Sequence, residues 1–342
     1  MEAWKQELLQ LPGRQDETEW LRYRLEVMSV REEIVLSAAR QYQPPKTAAD
    51  MINRILSIPY YNVCAEAGSY AALGEFFLKY ESPVTLPNDA FAFVDMETLG
   101  KRYEDMHPGL FVGNNYVVCP EPDFRPPQYD GVYLPQQDYD WSLRLKLGSA
   151  AKPEGVWVCL PDYNEISEEK PGDIEIAFQE LEVEHNGECT LLNAKCPLSG
   201  ITGLMEYGDL ADLIYDGQNL GIILDERGQG QPYFIERFQA ALELEGCDTL
   251  KEAIDISQNL HCYDLVLAND LEHYGQKALH HEYIHIQDGS EIFSDCIDYK
   301  GYARQLLEQK GFQCVLNGKA YVARNDQTFV SEYAQSPPEM TM

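Results

Sequence analysis

Positive charge is what this sequence has least of. Its 342 residues carry 26 Lys and Arg against 57 Asp and Glu, a formal net charge of -31. Nucleic-acid binding works by displacing counterions with Lys and Arg, so this balance argues against a direct nucleic-acid ligand. Long apolar runs are also missing: none approaches 18 residues, and no membrane span is expected. The opening MEAWKQELLQLPGRQDETEW has no apolar core followed by a small-residue cleavage site, so no signal peptide is expected. The nine cysteines are odd in number, scattered and without a C-x-x-C pair. That points to a reducing cytoplasm rather than a disulfide scaffold or a cysteine zinc site. G-x-S-x-G, Walker and G-x-G-x-x-G motifs are absent as well. Cys262 stands beside His261, but adjacent helical residues do not face each other, and a structural thiol is the reading. No cofactor is expected.

What remains is a globular composition, 44% apolar and 11% aromatic with 22 Tyr, unlike a disordered acidic tail. The charge lies far outside the roughly 2–8 units that keep a small domain soluble. Repulsion among like charges costs the folded state stability, so such an excess usually has a use. Duplex DNA carries about one charge per 1.7 Å, so 31 charges match about 53 Å of duplex. The excess serves either solubility or the occupation of a groove built for DNA.

Residues 17–42 read as one helix ended by Pro44-Pro45. Two later stretches then resemble each other, about 47–120 and 249–324. Each opens with a Thr (Thr47, Thr249) followed three residues on by an acid (Asp50, Glu252), a capping-box pattern. Each passes through a Tyr-Asn or Tyr-Asp exit and a Gly (Gly74, Gly275). Each then starts a third helix at Val94-Asp95 or Ile297-Asp298 and finishes in a β-rich segment. Between them lie a Pro- and Tyr-rich connector and a β-rich stretch. Gly155–Leu160 reads as a buried strand, while Asp173–Phe178 and Glu180–Glu184 alternate with period two as strands do. A helix follows, with Asp209, Asp212 and Asp216 on one side. From Gly172 to Glu226 twelve acids face one base, Lys195. Glu188 belongs to the same run.

A rival chemistry is written in His281-Glu-Tyr-Ile-His285, an H-E-x-x-H sequence. On a helix the two His would share a face and bind zinc while Glu282 activated the bound water. No His follows His285, so a third ligand would have to be a downstream carboxylate such as Glu291, Asp295 or Glu308. The same stretch of the first repeat, Leu78-Lys-Tyr-Glu81, keeps the Glu without the His.

The second repeat resembles the ArdA-type antirestriction proteins of conjugative plasmids and transposons. The resemblance rests on Ala253-Ile-Asp-Ile-Ser-Gln-Asn-Leu-His-Cys-Tyr-Asp264, Tyr274-Gly275 and Ile297-Asp-Tyr-Lys-Gly-Tyr-Ala-Arg304. Ala303 stands where that family has a Gly. The first repeat is similar more loosely, through Ile52-Asn53, Tyr60-Tyr61-Asn62, Leu73-Gly74 and Asp95 to Arg102. The resemblance implies an elongated, usually dimeric mimic of bent DNA that fills the DNA groove of a type I restriction–modification enzyme. Family members are about half this length with a single such unit, so a homodimer is left open for this chain.

The expectation is an α+β protein of several small domains. They are an N-terminal helical segment (1–43), a first repeat (44–122), a central acidic β-rich unit (123–245), a second repeat (246–330) and a disordered tail (331–342). The expected function is non-enzymatic and cytoplasmic: antirestriction by DNA mimicry, with a DNA-binding defence enzyme as partner and no metal, membrane or nucleic acid. The candidate mimic carboxylates are Asp173, Glu175, Glu180, Glu182, Glu184, Glu188, Asp209, Asp212 and Asp216. The alternatives are a zinc metallopeptidase using His281, Glu282 and His285, and an accessory interaction protein of a mobile element.

Overall fold

A computed structural model describes residues 3–82, 93–120, 129–132, 134–135, 143–164, 170–198, 200–228, 233–282 and 297–333. The fold is α+β, and the chain divides into two compact units, Met1–Lys195 and Cys196–Met342. That division falls inside the stretch 123–245 read from sequence as one central unit.

The first unit opens with α1 (Ala3–Leu8), α2 (Gln15–Glu26), α3 (Val30–Tyr42) and α4 (Ala48–Leu56). The single helix read over 17–42 is therefore two. Ser29 breaks it: its side chain accepts from Glu32 N while the Glu32 carboxylate accepts from Ser29 N, a reciprocal cap that starts α3 afresh. Next come β1 (Asn62–Cys64), α5 (Tyr70–Phe76) with a π-helical turn at Phe77–Glu81, α6 (Met96–Met106), β2 (Gly109–Val112) and β3 (Asn115–Val118). The strands form an antiparallel sheet in the order β1-β3-β2. Strand alternation splits its side chains between two cores. Val63 and Val117 pack with Leu36, Met51, Ile52 and Ile55 of α3 and α4. Cys64 and Tyr116 pack with Leu73, Phe76 and Tyr103 of α5 and α6. The N-terminal helices thus share a core with the first repeat instead of forming a separate segment.

The same unit carries a second sheet made of β4 (Leu143–Gly148), β5 (Val156–Leu160) and β6 (Thr190–Lys195), in the order β5-β4-β6. Helix α7 (Asp173–Leu181) packs on β5, and α3 touches both sheets. Asp173–Phe178 is therefore helix, not the strand its alternation suggests. The apolar set Ile174, Ala177, Phe178 and Leu181 also repeats at i, i+3, i+4 and i+7, the helical spacing. Asp173 and Glu175 favour the positive end of the helix dipole. Glu180–Glu184 is not a strand either. It runs off the end of α7, where Glu182 adopts a left-handed conformation (φ 56°) and Val183 N donates to Phe178 O.

The second unit contains α8 (Leu210–Gly228), α9 (Phe234–Glu245), α10 (Leu250–Gln258), β7 (Tyr263–Leu267), α11 (Leu271–Glu282), α12 (Tyr299–Gln309), β8 (Gln313–Val315) and β9 (Ala320–Arg324). Its sheet is antiparallel in the order β7-β9-β8. Element for element it repeats α2 to β3 of the first unit. Helix α9 covers the sheet as α3 does, and α8 packs on α10 as α2 packs on α4. The equivalences extend to single residues. Thr47 and Thr249 cap α4 and α10, and Asp95 and Asp298 cap α6 and α12. A Cβ built on Gly74 would meet Met96 O at 2.2 Å, and one on Gly275 would meet Tyr299 O at 2.2 Å. Both glycines let a helix backbone approach the first residue of the next helix, which no side chain would allow.

The chain leaving the last strand is tied down in both units by the same position of the same helix. Asn53 on α4 accepts from Tyr129 N at 2.6 Å and donates to Tyr129 O. Asp255 on α10, 2% exposed, accepts from Glu332 N, Tyr333 N and Ser331 Oγ. Residues 331–333 of the expected disordered tail are thus anchored, while 334–342 lie outside the described residues.

Candidate acidic interaction surface

The nine candidate carboxylates separate by burial. In the first unit Glu175, Glu180, Glu182, Glu184 and Glu188 are exposed. Glu180 pairs with Lys152, and Glu188 accepts from Glu184 N. In the second unit Asp209 and Asp212 are exposed at the start of α8, with Tyr215 64% exposed one turn on. Among the described residues Glu175, Glu182, Glu184, Glu188, Asp209 and Asp212 form no ion pair.

The other two are not surface groups. Asp216 is 4% exposed and accepts from the Tyr207 hydroxyl at 2.6 Å. At i, i+3 and i+7 the three acids lie within about 60° of one helix face. Asp216 therefore differs not by rotation but by its place along the axis, two turns in, where the Tyr207 hydroxyl meets it. Asp173 is 8% exposed, because helical rotation sets it about 200° from Glu175 instead of on the same face.

Asp173 lies against a cavity of about 310 Å³, also lined by Ser29, Arg31, Cys159 and Asp162. Burial, reinforced by the neighbouring Asp162 carboxylate, pushes the Asp173 carboxyl up to about 7, against the pull of Arg31 and a hydrogen bond with Ser29. Asp162 accepts from Ile174 N at 2.9 Å and so caps α7 from a distance. Gly172 leaves room for it, since a Cβ there would meet the Asp162 carboxylate at 2.2 Å. Nothing in the sequence marks this pair, because its members come from opposite sides of a loop.

The floor of this region is a buried ion triad. Arg144 on β4, 1% exposed, donates to Glu32 Oε2 at 2.6 Å and to Val27 O at 2.6 Å, and Arg24 reaches Glu32 Oε1 at 3.2 Å. Burial opposes ionisation of Glu32, but Arg144 and Arg24 win and hold its carboxyl far below the usual range. Removing one member of such a buried set typically costs about 3–5 kcal/mol, because the rest is left uncompensated.

Of the H-E-x-x-H sequence, His281 and Glu282 fall in the last turn of α11, and His285 lies outside the described residues. Among the described residues no group of three or more His, Cys, Asp or Glu is placed to hold a metal ion. The eight described cysteines are free thiols, and no described helix is long and apolar enough to cross a membrane.

Compared with known proteins, the chain matches no family model, no curated protein and no solved structure.

Proposed function

We propose that this protein is a non-enzymatic DNA mimic of the ArdA-like antirestriction kind. It acts in the cytoplasm by occupying the DNA groove of a defence enzyme such as a type I restriction–modification complex. The observation that carries the reading is the exposure of seven of the nine candidate carboxylates, six of them without an ion pair among the described residues. Carboxylates left unneutralised on the protein's own surface are free to meet the Lys and Arg of a DNA groove. Each contributes about a kcal/mol or less alone, and together they replace phosphates and release the anions condensed on the partner.

The test is displacement of labelled duplex from a purified type I complex at several salt concentrations. Displacement is expected at low salt and should fall steeply as salt is added. Changing Glu175, Glu180, Glu182, Glu184 and Glu188 together to Gln should weaken it and flatten its salt dependence, with the thermal melt unchanged. DNA binding unaffected by equimolar protein at low salt would sink the proposal.

A further inference from the structure

Between Cys196 and Thr249 the chain has ten Asp and Glu but only two bases, Arg227 and Arg237. Both line one cavity of about 220 Å³ in the second unit, together with Tyr233, Ser257, Gln258 and His261. No Asp or Glu is among the described residues lining it, and the remaining lining is apolar. Chance placement of two bases among ten acids would leave each beside carboxylates. Instead, both are gathered with a histidine at one concave spot.

The two arginines are held differently. Arg227 Nη1 donates to Ser257 O and Gln258 O, each at 3.2 Å, which fixes its guanidinium at the end of α10. The Arg237 guanidinium and the His261 ring make no hydrogen bond or ion pair among the described residues. The cavity also lies at the start of α9, where, among the described residues, no side chain caps the first turn. The N–H groups of a helix's first turn and the helix dipole both favour an anion. Tyr233 precedes that turn in a left-handed conformation (φ 62°) and is 53% exposed. A bulky residue rarely adopts this backbone without a reason.

We infer that this cavity is a binding site for a phosphate monoester, whose dianion sits between Arg227 and Arg237 and beside His261. Arginine's planar fork of donors matches phosphate oxygens two at a time. The volume is below the roughly 300–1,000 Å³ usual for drug-sized ligands. It therefore suits a phosphate group and a small attached moiety, with a larger aromatic part left to stack on Tyr233 at the mouth. The site is separate from the acidic surface and does not depend on the mimic proposal.

Isothermal titration of the full chain with inorganic phosphate, ribose 5-phosphate and adenosine monophosphate tests this. Saturable binding of at least one is expected, and their order tells whether sugar or base adds to the shared phosphate contact. Arg237→Gln alters an exposed side chain and should weaken binding about tenfold or more with an unchanged melt. Arg237→Lys keeps the charge without the fork and should weaken it by less. Arg22→Gln, an exposed arginine on α2, should have no effect. No saturable binding of any of the three at low millimolar concentration would overturn the inference. So would an equal loss from Arg22→Gln.

Discussion

The two units are built on one module, and they differ most where the same position carries a different residue. At the crossing of α5 and α6 the first unit has glycine on both helices, Gly74 and Gly100. At the matching crossing of α11 and α12 the second unit has Gly275 and Ala303. A Cβ on Gly100 would meet Tyr70 O at 1.9 Å, whereas Ala303 is accommodated fully buried, 3.4 Å from a Cβ built on Gly275. Both crossings close backbone to backbone at their first glycine, Gly74 or Gly275, and they part at the second position, where only the later crossing leaves room for a methyl group. A single topology tolerates glycine or alanine at the second position, provided that the first stays glycine.

The sharpest way to break this comparison is to exchange the differing residues. Gly100→Ala should destabilise the first unit by about 3 kcal/mol, at the upper end for overpacking, since the clash is with backbone that cannot rotate away. Ala303→Gly should cost the second unit only about 1 kcal/mol, mostly helix propensity. Urea unfolding followed by hydrogen exchange in each unit would read both. Equal losses would mean that the first crossing is no tighter than the second at this position.

A second difference is the additional sheet of the first unit, which brings the Asp162–Asp173 pair with it. The Asp173 carboxyl titrates at about 7 in the folded chain and near 3.8 when unfolded. The folded state therefore holds the extra proton, and this site's stability is full below about pH 4 and lost as pH rises through about 7. Asp173→Asn should raise the melting temperature of the first unit at pH 8 and leave it nearly unchanged at pH 4, an effect on the order of 2 kcal/mol. The second unit should not respond. A variant that melts in parallel with the parent at both pH values would remove the pair from the account.

The smallest expected effect separates the two straps. Asp255→Ala removes a buried acceptor from two backbone N–H groups and one hydroxyl, a loss of about 2 kcal/mol. Asn53→Ala removes a neutral pair of bonds and should cost about 1 kcal/mol. Amide exchange at Tyr333 and Tyr129 would report each release. Similar acceleration of both amides in either single variant would mean that the straps are not local.

The sequence showed the second half of the module well and the first half poorly, for a physical reason. Thr caps, Asp caps and close-approach glycines occupy fixed positions, because each satisfies a stereochemical demand that few residues can meet. The covering helices α3 and α9 meet no such demand. They need only apolar bulk, so Val30–Tyr42 and Phe234–Glu245 share little beyond that and their equivalence emerged only from packing. Their starts differ too, a reciprocal Ser29–Glu32 cap in one and a left-handed Tyr233 in the other. The candidate carboxylates were legible as a charged run but not as a surface. Six residues of alternation cannot distinguish a strand from a turn and a half of helix, and that ambiguity alone misplaced Asp173. Arg227 and Arg237 could have been found by counting, as the two bases of an otherwise acidic stretch.

The Arg144 guanidinium, reaching from β4 back to the turn between α2 and α3, has a consequence for anyone who wants to make the molecule smaller. It makes the additional sheet a working part of the module it joins. Trimming residues 143–195 would take away one of the two cations beside Glu32 and strip the Val27 carbonyl of its donor. Among the described residues the second unit has no additional sheet and so no tie of this kind. A minimal portable scaffold is therefore better sought in the later half of the chain than in the earlier, larger one.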